Sequence, residues 1–283
     1  MTETGLAGLR SFDANTPRLT DVPETMLWPL WNRASEAQRK DRLIEDPMSL
    51  DLFHKINYDF RASFGNPTPH HAIRARTCDD LIKHYLTRTT EDPVVVALGD
   101  GLETQLWRVD AENVPWVSVD LPESIAVRKQ FLPYDDRAIL IAKSALDLTW
   151  MDDIPSTANP FISAAGLLMY FTEKEVVGLL SAIFDRFEKP EVFFDTITPI
   201  VARKTCSEKG VNITKNYKAP RMPWGIKYPD IPAFLKDINE GLETHVTPYH
   251  LAFPSRTRLY RLLSLIPGVA RTLAGALVQV TRQ

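Results

Sequence analysis

Between residues 94 and 196 the chain alternates short apolar runs with longer stretches in which apolar residues recur at helical spacing. The apolar runs predict strands at Val94–Gly99, Trp116–Asp120, Ala138–Ala142, Pro160–Ala165 and Glu191–Thr196. The intervening pattern predicts helices at Ser124–Leu132 and Glu173–Phe187. Near-continuous apolar strands separated by helices read as an α/β fold, a parallel sheet covered on both faces with right-handed crossovers. A later strand at His245–Leu251 and a last one near Ala276–Thr281 bring the number to about seven, although Leu273–Val280 reads equally as the end of a helix begun near Val269. Before the sheet, Trp28–Leu43 and Pro47–Phe64 carry helical spacing, and in Thr77–Leu86 the residues Cys78, Leu81, Ile82 and Tyr85 share one face.

This pattern divides a single domain into three parts. Residues 1–90 form a helical cap, 91–197 and 243–283 form the sheet core, and 198–242 form an insertion over its edge. The insertion breaks the alternation, with four prolines between Lys215 and Pro232. Loops of this length are usually functional or disordered.

The chemistry concentrates where two predicted strands end. Val94-Val95-Val96-Ala97-Leu98 runs into Gly99-Asp100-Gly101, and the next strand ends in Asp120. A glycine turn brings bare backbone close to a ligand, and an acid at the neighbouring strand tip accepts the protons of both ribose hydroxyls. An adenosine-containing cofactor fits this pair. A dinucleotide site wants a third glycine at the helix start, to expose that terminus to pyrophosphate. Here the position is Thr104, preceded by Glu103, whose charge repels pyrophosphate and suits a cationic sulfonium. The pattern therefore favours S-adenosylmethionine, with a nicotinamide-dependent oxidoreductase as the alternative.

Composition narrows the partners. The chain has 283 residues, 44% of them apolar and 24% charged, and a formal net charge of −3, which gives no global attraction to nucleic acid or membrane. Two cysteines, Cys78 and Cys206, make no disulfide framework or metal site. The first residues lack a basic and apolar leader pattern, and no apolar run is long enough for a transmembrane segment, so a cytoplasmic location is expected. Within the insertion, Arg203, Lys204, Lys209, Lys215, Lys218, Arg221 and Lys227 stand against Glu208 alone, a local charge of +6 between residues 201 and 228. Such a cover attracts an anionic small-molecule acceptor or is simply a solvated face. Beyond Glu243, Arg256, Arg258 and Arg261 alternate with Leu259, Leu262, Leu263 and Leu265, which reads as a helix docked on the core or else as a partner or membrane-surface face.

Five segments resemble the leucine carboxyl methyltransferase family, and most closely its bacterial polyketide-type O-methyltransferases. They are Thr25–Ala34, Ile73–Asp80, Leu98–Thr104 with Trp107–Asp110, Val119–Glu123 and Ala164–Tyr170. The resemblance implies a Rossmann-like class I methyltransferase sheet with helices on both faces, N-terminal helices and a lid. It implies that Arg76 pairs with the methionine carboxylate of S-adenosylmethionine, with Arg33 as a second basic partner. Gly99 and Gly101 flank the methionine moiety. Asp120, with Leu121 beside it, holds the ribose, Asp147 and Leu148 hold adenine, and Ala165 faces the cofactor. Two positions depart from the family pattern: Ala165 where Glu or Gln is common, and Glu103 where Asp is usual.

The resemblance also places Tyr170 beside the acceptor. An anionic carboxylate acceptor needs no general base, whereas a hydroxyl usually does, and His245 and His250 are then candidates. The expected activity is methylation of a carboxylate or hydroxyl oxygen on an apolar small molecule, polyketide-like or fatty. A non-catalytic member that only binds S-adenosylmethionine is a further alternative, and the oligomeric state is left open.

Overall fold

The computed structural model describes residues 24–89, 92–155, 157–253, 255–257 and 274–282. Seven strands form one sheet in the order β3-β2-β1-β4-β5-β7-β6. They are β1 (Val95–Leu98), β2 (Trp116–Asp120), β3 (Ala138–Ala142), β4 (Phe161–Ala164), β5 (Glu191–Asp195), β6 (Leu242–Pro248) and β7 (Ala276–Arg282). β1 to β5 pair in parallel, and β7 runs antiparallel between β5 and β6. All five predicted parallel strands are present within one residue of their expected ends. Residues 276–282 are strand, which settles the ambiguity at Leu273–Val280 in favour of β7.

Alternate residues of the strands feed two cores. Val96, Leu98, Val117, Val119, Ile162, Val192, Phe194, Val278 and Val280 pack with Trp150 and with Val176, Leu179, Leu180, Ile183 and Phe184 of one helix, Glu173–Arg186. Val95, Trp116, Phe161, Phe193 and Leu277 pack on the other face against Ile73, Cys78, Ile82 and Tyr85. Burial on both faces is why these strands read as continuous apolar runs rather than alternating ones. β3 and β6 are the edge strands, and Ile139 of β3 is 44% exposed.

The N-terminal helices are α1 (Leu27–Ala37), α2 (Pro47–Lys55), α3 (Phe60–Phe64) and α4 (His70–Arg88). Two expectations fail here. The predicted helix Trp28–Leu43 ends at Ala37, and Pro47–Phe64 is two helices rather than one. Asp59 makes the second break: its carboxylate accepts from the Ala62 N–H and caps α3, an interaction a continuous helix would forbid. A third cluster, Met26, Leu27, Leu30, Leu52, Ile56, Phe60 and Phe64, joins these helices to Leu102, Val127, Phe131 and Tyr217.

Past β1 the helices are α5 (Gln105–Val109), α6 (Pro122–Phe131) and α7 (Glu173–Arg186), followed by α8 (Pro199–Cys206) and α9 (Ile231–Ile238). The proline-rich segment is thus partly helical. α9 belongs to the core, with Ile231 and Leu235 buried beside Trp224, and β6 begins at Leu242 rather than His245. What remains over the sheet edge is an arm from α8 to about residue 227. It is pinned to α3 by Thr214, whose hydroxyl lies 2.8 Å from the Ala62 carbonyl, and by the Tyr217 ring at 4.9 Å from Phe64. The predicted helix through Arg258, Arg261 and Leu265 lies outside the described residues. No helix among the described residues is long and apolar enough to cross a membrane.

Candidate functional site

The carboxyl ends of β1, β2, β4 and β5 open into a cavity of about 680 Å³, on the side where strand order reverses about β1. Gly99, Gly101, Asp120 and Leu121 line it, as do Arg33, Ala165, Tyr170 and His250. Eight of the eleven residues singled out from sequence therefore converge on one space.

The glycine turn is built by the residues around it. Gly99 and Gly101 both have positive φ, +64° and +49°, where a side chain is strained. The Gly101 N–H donates to Asp120 Oδ2 and the Leu121 N–H to Oδ1, each at 2.7 Å. The Asp120 carboxylate is thus aimed by backbone from both strands and keeps lone pairs for a ligand. Burial raises its pKa, partly offset by those two N–H groups and the Ser124 hydroxyl.

Beneath the turn, Arg128 of α6 donates to the Gly101 and Glu103 carbonyls at 2.7 and 3.1 Å and pairs with Asp100 at 2.9 Å. Burial pushes the Asp100 carboxyl up to about 6, against the opposing pull of Arg128 and Ser118. On the other side Arg33 donates to the Leu102 carbonyl at 2.7 Å and pairs with Glu103 at 2.9 Å and Asp46 at 3.3 Å. Burial opposes the charge of Glu103, yet Arg108 and Arg33 bring its pKa down to about 2. It faces the cavity as an anion.

Three expected site residues lie elsewhere. Arg76 is on the outer face of α4, half-exposed, paired with Asp80 at 2.8 Å. The residue of α4 that reaches the cavity is Arg74. Two residues on a helix are about 200° apart, so the side chains of 74 and 76 leave on opposite faces. Asp147 is exposed and caps the 3₁₀ turn at Leu148–Asp153, accepting from the Thr149 N–H at 3.2 Å and hydroxyl at 2.7 Å. Leu148 is 41% exposed. Ser144 and Ala145, just before them, line the cavity instead. Among the histidines, His245 faces solvent on β6, and His250 is buried in the turn after it, with an Nδ1 that has no partner among the described residues.

Several cavity residues were not singled out from the sequence. Arg74 pairs with Asp195 at the tip of β5 at 3.1 Å, and its guanidinium lies against Gly166, where a side chain would collide with it. Asp195 also accepts from the Gly166 N–H at 2.5 Å and the Tyr249 hydroxyl at 3.2 Å. Burial and Asp195 hold the Tyr249 phenol well above its ordinary pKa. Tyr170 is hydrogen-bonded to Thr25, and burial raises its pKa. Cys78 borders the cavity too, but burial pushes its thiol up to about 12, so it stays protonated.

His71, one turn before Arg74, is held from behind. Asn32 Oδ1 accepts from the Thr68 N–H at 3.0 Å, which turns the Asn32 amide nitrogen toward His71 Nδ1 at 2.6 Å. The far part of the cavity is apolar, walled by Trp28, Met169, Phe171, Val201, Val211, Ile213, Ala219 and Met222. The seven cations of the arm are all exposed, and none of them lines the cavity. The arm therefore meets the cavity with its apolar side.

A model of the leucine carboxyl methyltransferase family matches residues 27–184, more than half of the chain. The chain is 30% identical over 192 residues to the tetracenomycin polyketide synthesis O-methyltransferase TcmP of Streptomyces glaucescens, covering 66% of this chain and 70% of that one. It is 26% identical over 194 residues to the S-adenosyl-L-methionine-dependent methyltransferase dpfgK of Gibberella zeae, covering 62% and 65%. Among solved structures, the fold is similar to the plantazolicin methyltransferase BamL in complex with a triazolic desmethylPZN analog and SAH (TM-score 0.52, 11% identity, 92% of this chain and 97% of that one). The related BpumL complex gives a TM-score of 0.51 at 12% identity, over 93% of this chain and 100% of that one. The chain belongs to the leucine carboxyl methyltransferase family, and S-adenosylmethionine is its cofactor.

Proposed function

We propose that this protein is an O-methyltransferase acting on a carboxylate or hydroxyl oxygen of an apolar small molecule, polyketide-like or fatty. One observation carries the reading: a single cavity joins a nucleoside-binding strand edge to an apolar chamber closed by the arm. Its 680 Å³ lies in the range of small-molecule sites and leaves room for two ligands side by side. The polyketide O-methyltransferase relative supports the oxygen acceptor and its chemical class.

The donor set fits the cofactor. Asp120 accepts the ribose hydroxyls through its remaining lone pairs, while Gly99 and Gly101 present backbone to the methionine chain and Leu121 covers the sugar. Arg74 takes the carboxylate role first assigned to Arg76, and Arg33 assists with the N–H groups not spent on Leu102, Glu103 and Asp46. Ionised Glu103 balances the cofactor's positive charge. Ala165 donates nothing and only shapes the wall, and Ser144 and Ala145 replace Asp147 and Leu148 beside the adenine. When bound, S-adenosylmethionine supplies an already activated methyl group. The protein's task is to hold an oxygen in line with it at near-attack distance and to exclude water. Tyr170 borders that point from the tip of β4, and the arm acts as the lid.

A hydroxyl acceptor needs a group that takes its proton, and His250, which lines the cavity, is the candidate. Burial lowers its pKa, which keeps the ring neutral and able to do so. Calorimetry with S-adenosylhomocysteine tests the site: Asp120→Ala is expected to weaken binding by about 5- to 150-fold, the loss of a buried charged hydrogen-bonding partner. Unchanged affinity removes Asp120 from the site. Product analysis with tritiated methyl donor and a panel of aromatic and long-chain acids and phenols tests the transfer, and a panel with no labelled product overturns it.

A further inference from the structure

We propose that His71 positions the acceptor, donating its Nε2–H to the oxygen that receives the methyl group, so that the pocket selects an ionised carboxylate over a hydroxyl. The inference rests on the methyltransferase reading and deepens it. Three observations lead to it.

The first is a fixed tautomer. The Thr68 backbone N–H has only a proton to offer, so the Asn32 atom facing it is the oxygen, at 3.0 Å. The Asn32 amide N–H₂ then faces His71 Nδ1 at 2.6 Å and the Thr68 hydroxyl at 3.2 Å. Asn32 is 1% exposed, so no water replaces these partners. A nitrogen that accepts this bond carries no proton of its own. The ring's single proton sits on Nε2, and a second proton on Nδ1 would meet the Asn32 N–H₂ head-on.

The second is where Nε2 points. His71 lines the cavity, and Nε2 has no hydrogen-bond partner among the described residues, yet it is not among the sealed-off polar atoms. It is a donor open to the ligand space. The ring is held at this angle by Trp28, edge-on at 5.6 Å, which stacks in turn on Phe64 beneath the arm. His71 therefore stands between the apolar chamber and Arg74, one helical turn away on the cofactor side.

The third is the charge around it. Burial, then Arg74, His70 and Arg33, keep the imidazole well below its ordinary pKa. The other titratable groups lining the same cavity are Asp100, Glu103, Asp120, Asp195, Cys78, Tyr170, Tyr249 and His250. A neutral ring with its proton on Nε2 is a donor, not a base. It stabilises an oxygen that has already lost its proton and does nothing to remove one.

¹⁵N-histidine NMR of the protein saturated with S-adenosylhomocysteine tests this, using His71→Leu to assign the resonance. His71 is expected to carry its proton on Nε2 and not to titrate between about pH 5.5 and 8.5. Saturating 2-naphthoate is expected to move its Nε2 resonance, and 2-naphthol to leave it in place. A proton on Nδ1, a midpoint inside that range, or an Nε2 unmoved by 2-naphthoate overturns the proposal. In methyl transfer to 2-naphthoate, His71→Leu is expected to raise KM about tenfold or more, while His71→Gln, which retains a donor, stays within about threefold of the parent. S-adenosylhomocysteine affinity holds in both. Equal KM values for the Leu variant and the parent also overturn it. The methyltransferase reading fails separately, if the parent protein does not bind S-adenosylhomocysteine.

Discussion

The two halves of the cavity are built on opposite plans. The half proposed for the cofactor is a glycine turn whose backbone is clamped by ions buried beneath it, with Arg128 on Asp100 and two carbonyls, and Arg33 on Glu103 and Leu102. The acceptor half is a set of apolar side chains from α1, the segment after β4 and the arm, held mainly by packing. Buried ion pairs tolerate little change, since removing one partner strands the other charge. Apolar walls accept other side chains of similar volume at modest cost. One half therefore tolerates little substitution, and the other tolerates side chains of similar volume.

The contrast is most directly broken by Arg128→Leu. It leaves Asp100 buried without its cation and frees the Gly101 and Glu103 carbonyls, an expected loss of about 3–5 kcal/mol in urea unfolding. An equal loss from trimming an apolar wall residue such as Met222 to Ala would erase the distinction.

Glu103→Gln gives the next effect. The folded-state pKa of Glu103 lies below its unfolded value of 4.5, near 2, so its contribution is present above 4.5 and lost as pH falls toward 2. The variant is expected to be less stable than the parent by about 2–3 kcal/mol at pH 7, with the gap closing as pH falls through that window. Asp100 has the opposite sign: its pKa is raised from 3.8 to about 6, so its contribution declines as pH rises across that interval. Denaturant midpoints at neutral and acid pH separate the two.

The smallest effect sharpens the boundary of the site. Arg76→Ala removes an exposed pair with Asp80, worth about 0–1 kcal/mol. It is expected to leave S-adenosylhomocysteine affinity within about twofold, while Arg74→Leu weakens it at least tenfold. Comparable losses from both would restore Arg76 to the site.

The sheet was legible because its strands are buried on both faces, and such strands leave unbroken apolar runs. The turn at Gly99–Gly101 and Asp120 was legible because one strand edge presents them within twenty-one residues of sequence. Arg74 and not Arg76 lines the cavity, and the helix carried that answer. Arg74 precedes Cys78 by four residues and so shares the face of Cys78, Ile82 and Tyr85, all buried. Asp195 obeys the same rule as Asp120, an acid at a strand's carboxyl end, and its position alone could have drawn it in. Asp147 lies outside the cavity lining, and a carboxylate before a short helix caps it as readily as it binds a ligand. The lock on His71 had no sequence signal, since Asn32 and Thr68 come from separate segments that only tertiary packing unites.

The position of β7 orders the folding of the chain. β6 has no neighbour in the sheet except β7, and β7 pairs with both β5 and β6. Residues 242–248 therefore emerge from the ribosome with every ladder hydrogen bond unmade. They remain so until 276–282 has followed and slid between two segments already synthesised. The rim of the cavity beside Tyr249, His250 and Gly275 thus depends on β7 joining segments far apart in sequence.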